Sequence, residues 1–134
     1  MNVLVIDAQG GGIGKQIIAA LKQNISGLNI TAVGTNVMAT SAMLKAGADG
    51  AATGENAVVV ACRTANVIIG PIGIIVADSM LGEVTPAMAL AVAQSSAIRF
   101  LIPFNSCNTR IAGVREQSIA AQIDEIVKEV KNLI

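Results

Sequence analysis

The stretch Asn2 to Leu21, NVLVIDAQGGGIGKQIIAAL, limits the fold more than any other part of the chain. Val3 to Ile6 is a continuous β-branched and aliphatic run, the pattern of a strand buried on both faces of a parallel sheet. Glycines follow at Gly10, Gly11, Gly12 and Gly14, and then Ile13, Ile17, Ile18 and Leu21 recur at helical spacing. A buried strand, a glycine turn and an amphipathic helix, in that order, open many α/β folds and often build a site for a phosphorylated ligand.

The rest of the chain keeps the alternation. Ile30 to Val33 reads as a second strand, and Val37 to Ala46 as a helix that stops at Gly47, a suitable residue just past a helix end. Asp49 to Thr53 is a candidate third strand of small residues, and Glu55 to Arg63 a short helix. Val67 to Ile69 is the next strand and runs into Gly70-Pro71-Ile72-Gly73. Thr85 is a good N-cap with Pro86 behind it, which predicts a helix to about Ser95. Ile98 to Ile102 reads as a strand and Ile111 to Val114 as a last, short one. Ser118 to Ile134 is an amphipathic helix with Ile119, Ile123, Ile126, Val127 and Val130 on one face.

This order predicts one α/β domain, a doubly wound, mainly parallel Rossmann-like sheet of five or six strands. Helices on both faces make it a three-layer sandwich. With the strand at Asp49 to Thr53 the strand order is 3-2-1-4-5-6; without it, 2-1-3-4-5. Both orders reverse beside the first strand and place a crevice between the glycine loop and the loop after Ile69.

Bulk properties exclude several function classes. The 134 residues suit a single domain. A net charge of zero from nine basic and nine acidic residues argues against counterion-driven binding of nucleic acid. Without Tyr or Trp, and with only Phe100 and Phe104, no platform for stacking successive bases is available. The most apolar stretch, Val67 to Ala77, is broken by Gly70, Pro71 and Gly73, so no membrane span is expected. No basic residue precedes Lys15, which argues against a secretory signal. Cys62 and Cys107 are isolated, which fits reduced thiols in the cytoplasm better than a disulfide or a metal site.

Gly10, Gly11, Gly12 and Gly14 lack β-carbons, so backbone amides there can approach an anion closely, and the helix behind them adds N–H donors. Lys15 sits in the first turn, where a cation opposes the helix dipole unless an anionic ligand offsets it. The other reading is a tight strand-to-helix crossing and nothing more. The loop departs from both standard fingerprints. Counted from Gly10, the last glycine of G-x-G-x-x-G falls on Lys15. The P-loop pattern meets Gln9 at its first glycine and Gln16 in place of its hydroxyl.

GGGIGKQ nevertheless resembles the deviant Walker loops of ParA- and MinD-type ATPases, without their first lysine. It is also similar to the T-G-x-x-x-G-I-G loop of short-chain dehydrogenases, with Asp7, Ala8, Gly12, Ile13 and Gly14 at the Thr, Gly, Gly, Ile and Gly positions. Their Tyr-x-x-x-Lys pair cannot exist in a chain without tyrosine. IDAQGGGIGK, AVGTNVMATSAMLKAGA, ATGENA, GPIGI and MLGEVTPAMA together resemble a family of short bacterial proteins of unknown function. That resemblance covers almost the whole chain and implies a fold, with no activity to carry over.

Other residues fall where a ligand would sit. Thr35 and Asn36 follow the second strand, where NAD-binding folds present an acid to the ribose; they either face a ligand or cap the next helix. Asp7 either holds Mg²⁺ through water or accepts the glycine-loop amides. Gly70, Pro71 and Gly73 form the opposite wall of the crevice or just a tight turn. Asp78, Ser79 and Glu83 interrupt an apolar stretch; in a chain without histidine, Asp78 and Glu83 are the acid–base candidates, or they serve the entry to the next helix. Asn105, Ser106, Cys107 and Asn108 follow the strand ending at Pro103, and Asn105 is a candidate ligand contact.

No charge lies between Glu83 and Arg99, and Val37 to Ala46 carries only Lys45. Helices with so little polar surface predict a homodimer or larger homo-oligomer. The sequence thus predicts a cytoplasmic protein that binds NAD(P), another nucleotide or a small phosphorylated ligand at the glycine loop, with a regulatory role. The alternatives are a small NAD(P)-dependent or transferase-type enzyme with a site shared between subunits, a deviant P-loop ATPase, and a purely structural oligomer.

Overall fold

The strands form on largely aliphatic or small runs, and the helices begin either at a glycine or at a residue whose side chain caps them. A computed structural model describes residues 1–104 and 108–134. Asn105 and Cys107, both singled out above, therefore lie outside the described residues.

The elements are β1 (Asn2–Asp7), α1 (Gly12–Asn24), β2 (Asn29–Gly34), α2 (Val37–Lys45), β3 (Gly50–Thr53) and α3 (Glu55–Cys62). They continue with β4 (Val67–Pro71), a 3₁₀ turn (Ile72–Ile75), α4 (Pro86–Gln94), β5 (Ile98–Ile102) and α5 (Ile119–Asn132). Three helices start on side-chain caps: Asn36 accepts from the Ala39 amide, Thr85 from Met88 and Ser118 from Ala121. Each satisfies an N–H that the helix itself leaves unpaired.

The five strands form one parallel sheet in the order β3-β2-β1-β4-β5. The small residues of Gly50–Thr53 do make a strand, as the first of the two anticipated orders requires. Among the described residues there is no sixth strand. Ile111 to Val114 is a turn instead, with Gly113 at φ 81° and the Val114 amide donating to the Ile111 carbonyl. The left-handed glycine turns the chain out of the extended form, and β5 stands at one edge of the sheet among the described residues.

Buried side chains lie on both faces of the sheet. Val3, Val5, Ile17, Leu21, Ile69 and Val130 belong to the layer under α1, α2 and α5. Leu4, Ile6, Val58, Ile68 and Val92 belong to the layer under α3 and α4. Consecutive residues of β1 therefore enter opposite cores, which accounts for its unbroken apolar run. No helix among the described residues is long and apolar enough to cross a membrane.

Candidate functional site

β1 ends at Asp7, whose side chain folds back beneath the loop that follows. Its Oδ1 accepts the Ala8 amide at 2.8 Å and its Oδ2 the Gly14 amide at 2.7 Å. The carboxylate thus occupies the end of α1 where unpaired N–H groups and the helix dipole favour an anion. It is only 4% exposed. Burial pushes its carboxyl above the ordinary range, the Gly14, Ala8 and Ile13 amides pull it back, and nearby Glu83 adds a further push. Of the two expectations for Asp7, the geometry matches the acceptor of loop amides.

The four glycines divide into two pairs. Gly11 is buried at φ 70°, and a β-carbon there would stand 2.8 Å from the Ala39 backbone. One on buried Gly14 would meet the Met43 sulfur at 2.5 Å and the Asp7 β-carbon at 3.0 Å. These two glycines let α2 and β1 press against α1. Gly10 and Gly12 are exposed, and a β-carbon on either would meet nothing within 4 Å. No amide partner for Gly10 or Gly12 is present among the described residues, whereas Ala8, Gln9, Gly11 and Gly14 all donate.

Gln9 adopts the left-handed conformation at φ 52°, unusual for a residue with a side chain. Two contacts hold it: its N–H donates to Glu83 Oε1 at 2.8 Å, and its carbonyl accepts Asn36 Nδ2 at 2.9 Å. Glu83 Oε1 also accepts the Thr35 hydroxyl at 2.8 Å and Asn36 Nδ2 at 2.7 Å. Burial raises the Glu83 carboxyl, but the Gln9 amide, Thr35 hydroxyl and Asn36 amide outweigh it and leave it below its ordinary range. Glu83 is therefore an anchor between three loops and poorly poised for proton transfer near neutral pH.

The segment that brings Glu83 here is tightly wound. Asp78, Met80, Leu81 and Gly82 all have positive φ, and Ser79, buried, donates its hydroxyl to the Gly73 carbonyl at 2.6 Å. Neither exposed Asp78 nor Glu83 lines the crevice, so the two acid–base candidates are not brought together there. Gly70 lies inside β4, where a β-carbon would collide with the Ile6 carbonyl, so it serves strand packing. Gly73 lies within the 3₁₀ turn. Of that wall, Pro71 reaches the crevice.

The crevice itself holds about 240 Å³ at the point where the strand order reverses. Asp7, Ala8, Gln9, Gly10, Gly12, Ile13 and Gln16 line one side, and Pro71, Met80, Phe104 and Ile119 the other. Gln9, Gln16, Met80, Phe104 and Ile119 were not among the residues picked from sequence. Ile119 reads there as part of a helix face, and Phe104 only as one of two aromatics; its place just after β5, at the carboxyl end of the sheet, was the available signal. Lys15 points elsewhere, into a groove between α1 and α2 that also contains Gly10 and Gln16. Larger hollows than the crevice exist between α3 and α4 and beside β5, but neither touches the glycine loop.

Cys62 is buried, and burial pushes its thiol upward, which disfavours the thiolate form. Among the described residues no group of three or more His, Cys, Asp or Glu side chains is placed to share a metal ion.

The family model described as Domain of unknown function (DUF3842) matches residues 2–134. The chain belongs to this family. No curated protein matches it. Among solved structures it is similar to a dodecameric FMN-dependent UbiX-like decarboxylase from Escherichia coli O157:H7, at 13% identity over 99% of this chain and 93% of that chain, with a TM-score of 0.47. A likeness of that degree carries no ligand, reaction or assembly across to this DUF3842 member.

Proposed function

We propose that this protein binds a small phosphorylated ligand of nucleotide type, NAD(P) included, in the crevice above Gly10 and Gly12, in a binding or regulatory role. The observation that carries the reading is the division of the glycines. Gly11 and Gly14 are accounted for by packing inside the chain. Gly10 and Gly12 are not: both are exposed, both line the crevice, and both carry amides without partners among the described residues. A ligand that approaches the backbone closely gives those two positions a reason to lack side chains.

Ile13, Pro71, Met80, Phe104 and Ile119 provide an apolar lining suited to a flat ring. About 240 Å³ lies below the roughly 300–1,000 Å³ of drug-sized ligand sites, so the crevice takes a single ring system, with the remainder of the ligand outside it.

The test is a thermal-shift screen against NAD(H), NADP(H), ATP, GTP, FMN, coenzyme A and sugar phosphates, repeated on Gly12→Val. A ligand of the native state raises the melting temperature by mass action. We expect a saturable rise that Gly12→Val abolishes without loss of fold. A ligand that stabilises both proteins equally would sink the proposal.

We also propose a homo-oligomer formed through α3 and α4. Leu90 is 55% exposed and Val60 46%, beside a groove lined by Val59, Ala87 and Ala91. An uncharged helix with such a surface gains stability by covering it.

A further inference from the structure

If a phosphorylated ligand binds at this loop, its charge needs a place to rest, and the obvious one is taken. Asp7 already accepts the Ala8 and Gly14 amides at the start of α1, and Glu83 accepts that of Gln9. A phosphate placed over those amides would face two carboxylates and find its donors occupied. The groove between α1 and α2 offers the reverse. It holds about 690 Å³ and is lined by Lys15, Lys45, Ser41 and Gln16 among others, with no acidic residue. It meets the crevice at Gly10 and Gln16, which line both.

Neither lysine is in a salt bridge among the described residues; the ion pair found there is Lys22–Asp49, at 2.7 Å. Lys45, in the last turn of α2, is explained by the dipole of its own helix. Lys15 is not. It stands in the first turn of α1, where none of the helix's own residues is acidic, the dipole opposes it, and no salt bridge ties it to Asp7 among the described residues.

We propose that Lys15 and Lys45 form the seat of the ligand's phosphate, and that the ligand bends over Gly10 with its ring in the crevice. This rests on the reading above and narrows it to a compact ring carrying a phosphomonoester or diphosphate on a short link. Ser41 and the Gly10 amide supply hydrogen bonds that two mobile ammonium groups alone would not direct.

The test uses four probes on the full chain: inorganic pyrophosphate, ADP, adenosine and ribose 5-phosphate, followed by NMR and calorimetry. Three variants accompany them: Lys15→Gln/Lys45→Gln, Gly12→Val, and Lys128→Gln/Lys131→Gln, which removes the same charge from exposed sites on α5. Glutamine is a good helix former, so both glutamine pairs keep the fold. We expect pyrophosphate to move the signals of Gly10, Lys15 and Lys45, and adenosine to move those of Phe104 and Met80. The Lys15/Lys45 pair should weaken ADP and pyrophosphate about tenfold and leave adenosine unchanged, while the Lys128/Lys131 pair changes neither.

Ribose 5-phosphate binding as tightly as ADP keeps the seat and assigns the ring to the sugar. The proposal is overturned if pyrophosphate leaves Lys15 and Lys45 unmoved, if ADP affinity survives their loss, or if the α5 pair weakens it as much. Pyrophosphate bound at the lysines, with no probe sensitive to Gly12→Val, would sink the crevice and leave the lysine seat standing.

Discussion

Glu83 Oε1 accepts the side-chain amide of Asn36 at 2.7 Å, across a sequence separation of 47 residues. Asn36 also caps α2 through the Ala39 amide and holds the Gln9 carbonyl, so one pair of side chains fixes the two loops on either side of the crevice mouth. Glu83→Ala leaves the Gln9 amide and the Thr35 hydroxyl without their acceptor, and should destabilise by about 1–3 kcal/mol in urea unfolding. Because the folded carboxyl titrates below its ordinary 4.5, its contribution is present above that value and lost as pH falls through the folded one. Glu83→Gln should remove that acid-side loss; a stability–pH curve unchanged by it would show that the clamp does not depend on charge.

Asp7 has the opposite sign. Its folded carboxyl titrates above the unfolded 3.8, so between the two values the folded state binds more protons and the contribution of this group falls as pH rises. Asp7→Asn should abolish that slope. It should also cost about 2 kcal/mol at neutral pH, because an Asn side chain has one acceptor oxygen for the two amides of Ala8 and Gly14. Denaturant melts at several pH values separate the two effects.

The glycines give an internal control. Gly12→Ala should be neutral or slightly stabilising, since it opens α1, has free space, and alanine is the better helix former. Gly11→Ala should cost about 2–3 kcal/mol, because α2 backbone blocks it and φ is positive. Equal melting temperatures for the two variants would contradict the division drawn here.

Leu90→Glu tests the assembly. A charge on α4 in the middle of an apolar interface should shift the protein to monomer in light scattering without unfolding it, since Leu90 is exposed within the subunit. An unchanged mass would exclude the α3–α4 face.

What could be read in sequence was what local chemistry decides. The strand–glycine–helix opening, the Thr85 cap with Pro86, and the Ser118 helix all depend on residues a few positions apart, and all are present. The sixth strand failed because an apolar run around Gly113 reads as extended until its backbone turns left-handed. The site was half legible. That the loop has glycines is written in it; which of them face outward depends on Ala39 and Met43, brought close by the packing of α2. The role of Glu83 was hidden because its partners lie 74, 48 and 47 residues away. Met80, Phe104 and Ile119 come together at the crevice only once β1, β4 and β5 are side by side.

The seating of Asp7 and Glu83 under the glycine loop has a kinetic consequence. Their carboxylates hold the Ala8, Gln9 and Gly14 amides from within the chain, so the loop is preorganised and its ordering entropy is charged to folding and not to binding. Association should then be fast and free of a slow closing phase, with affinity differences between ligands expressed in their dissociation rates. Stopped-flow traces that fit a single bimolecular step would match a receptor built in advance of its ligand.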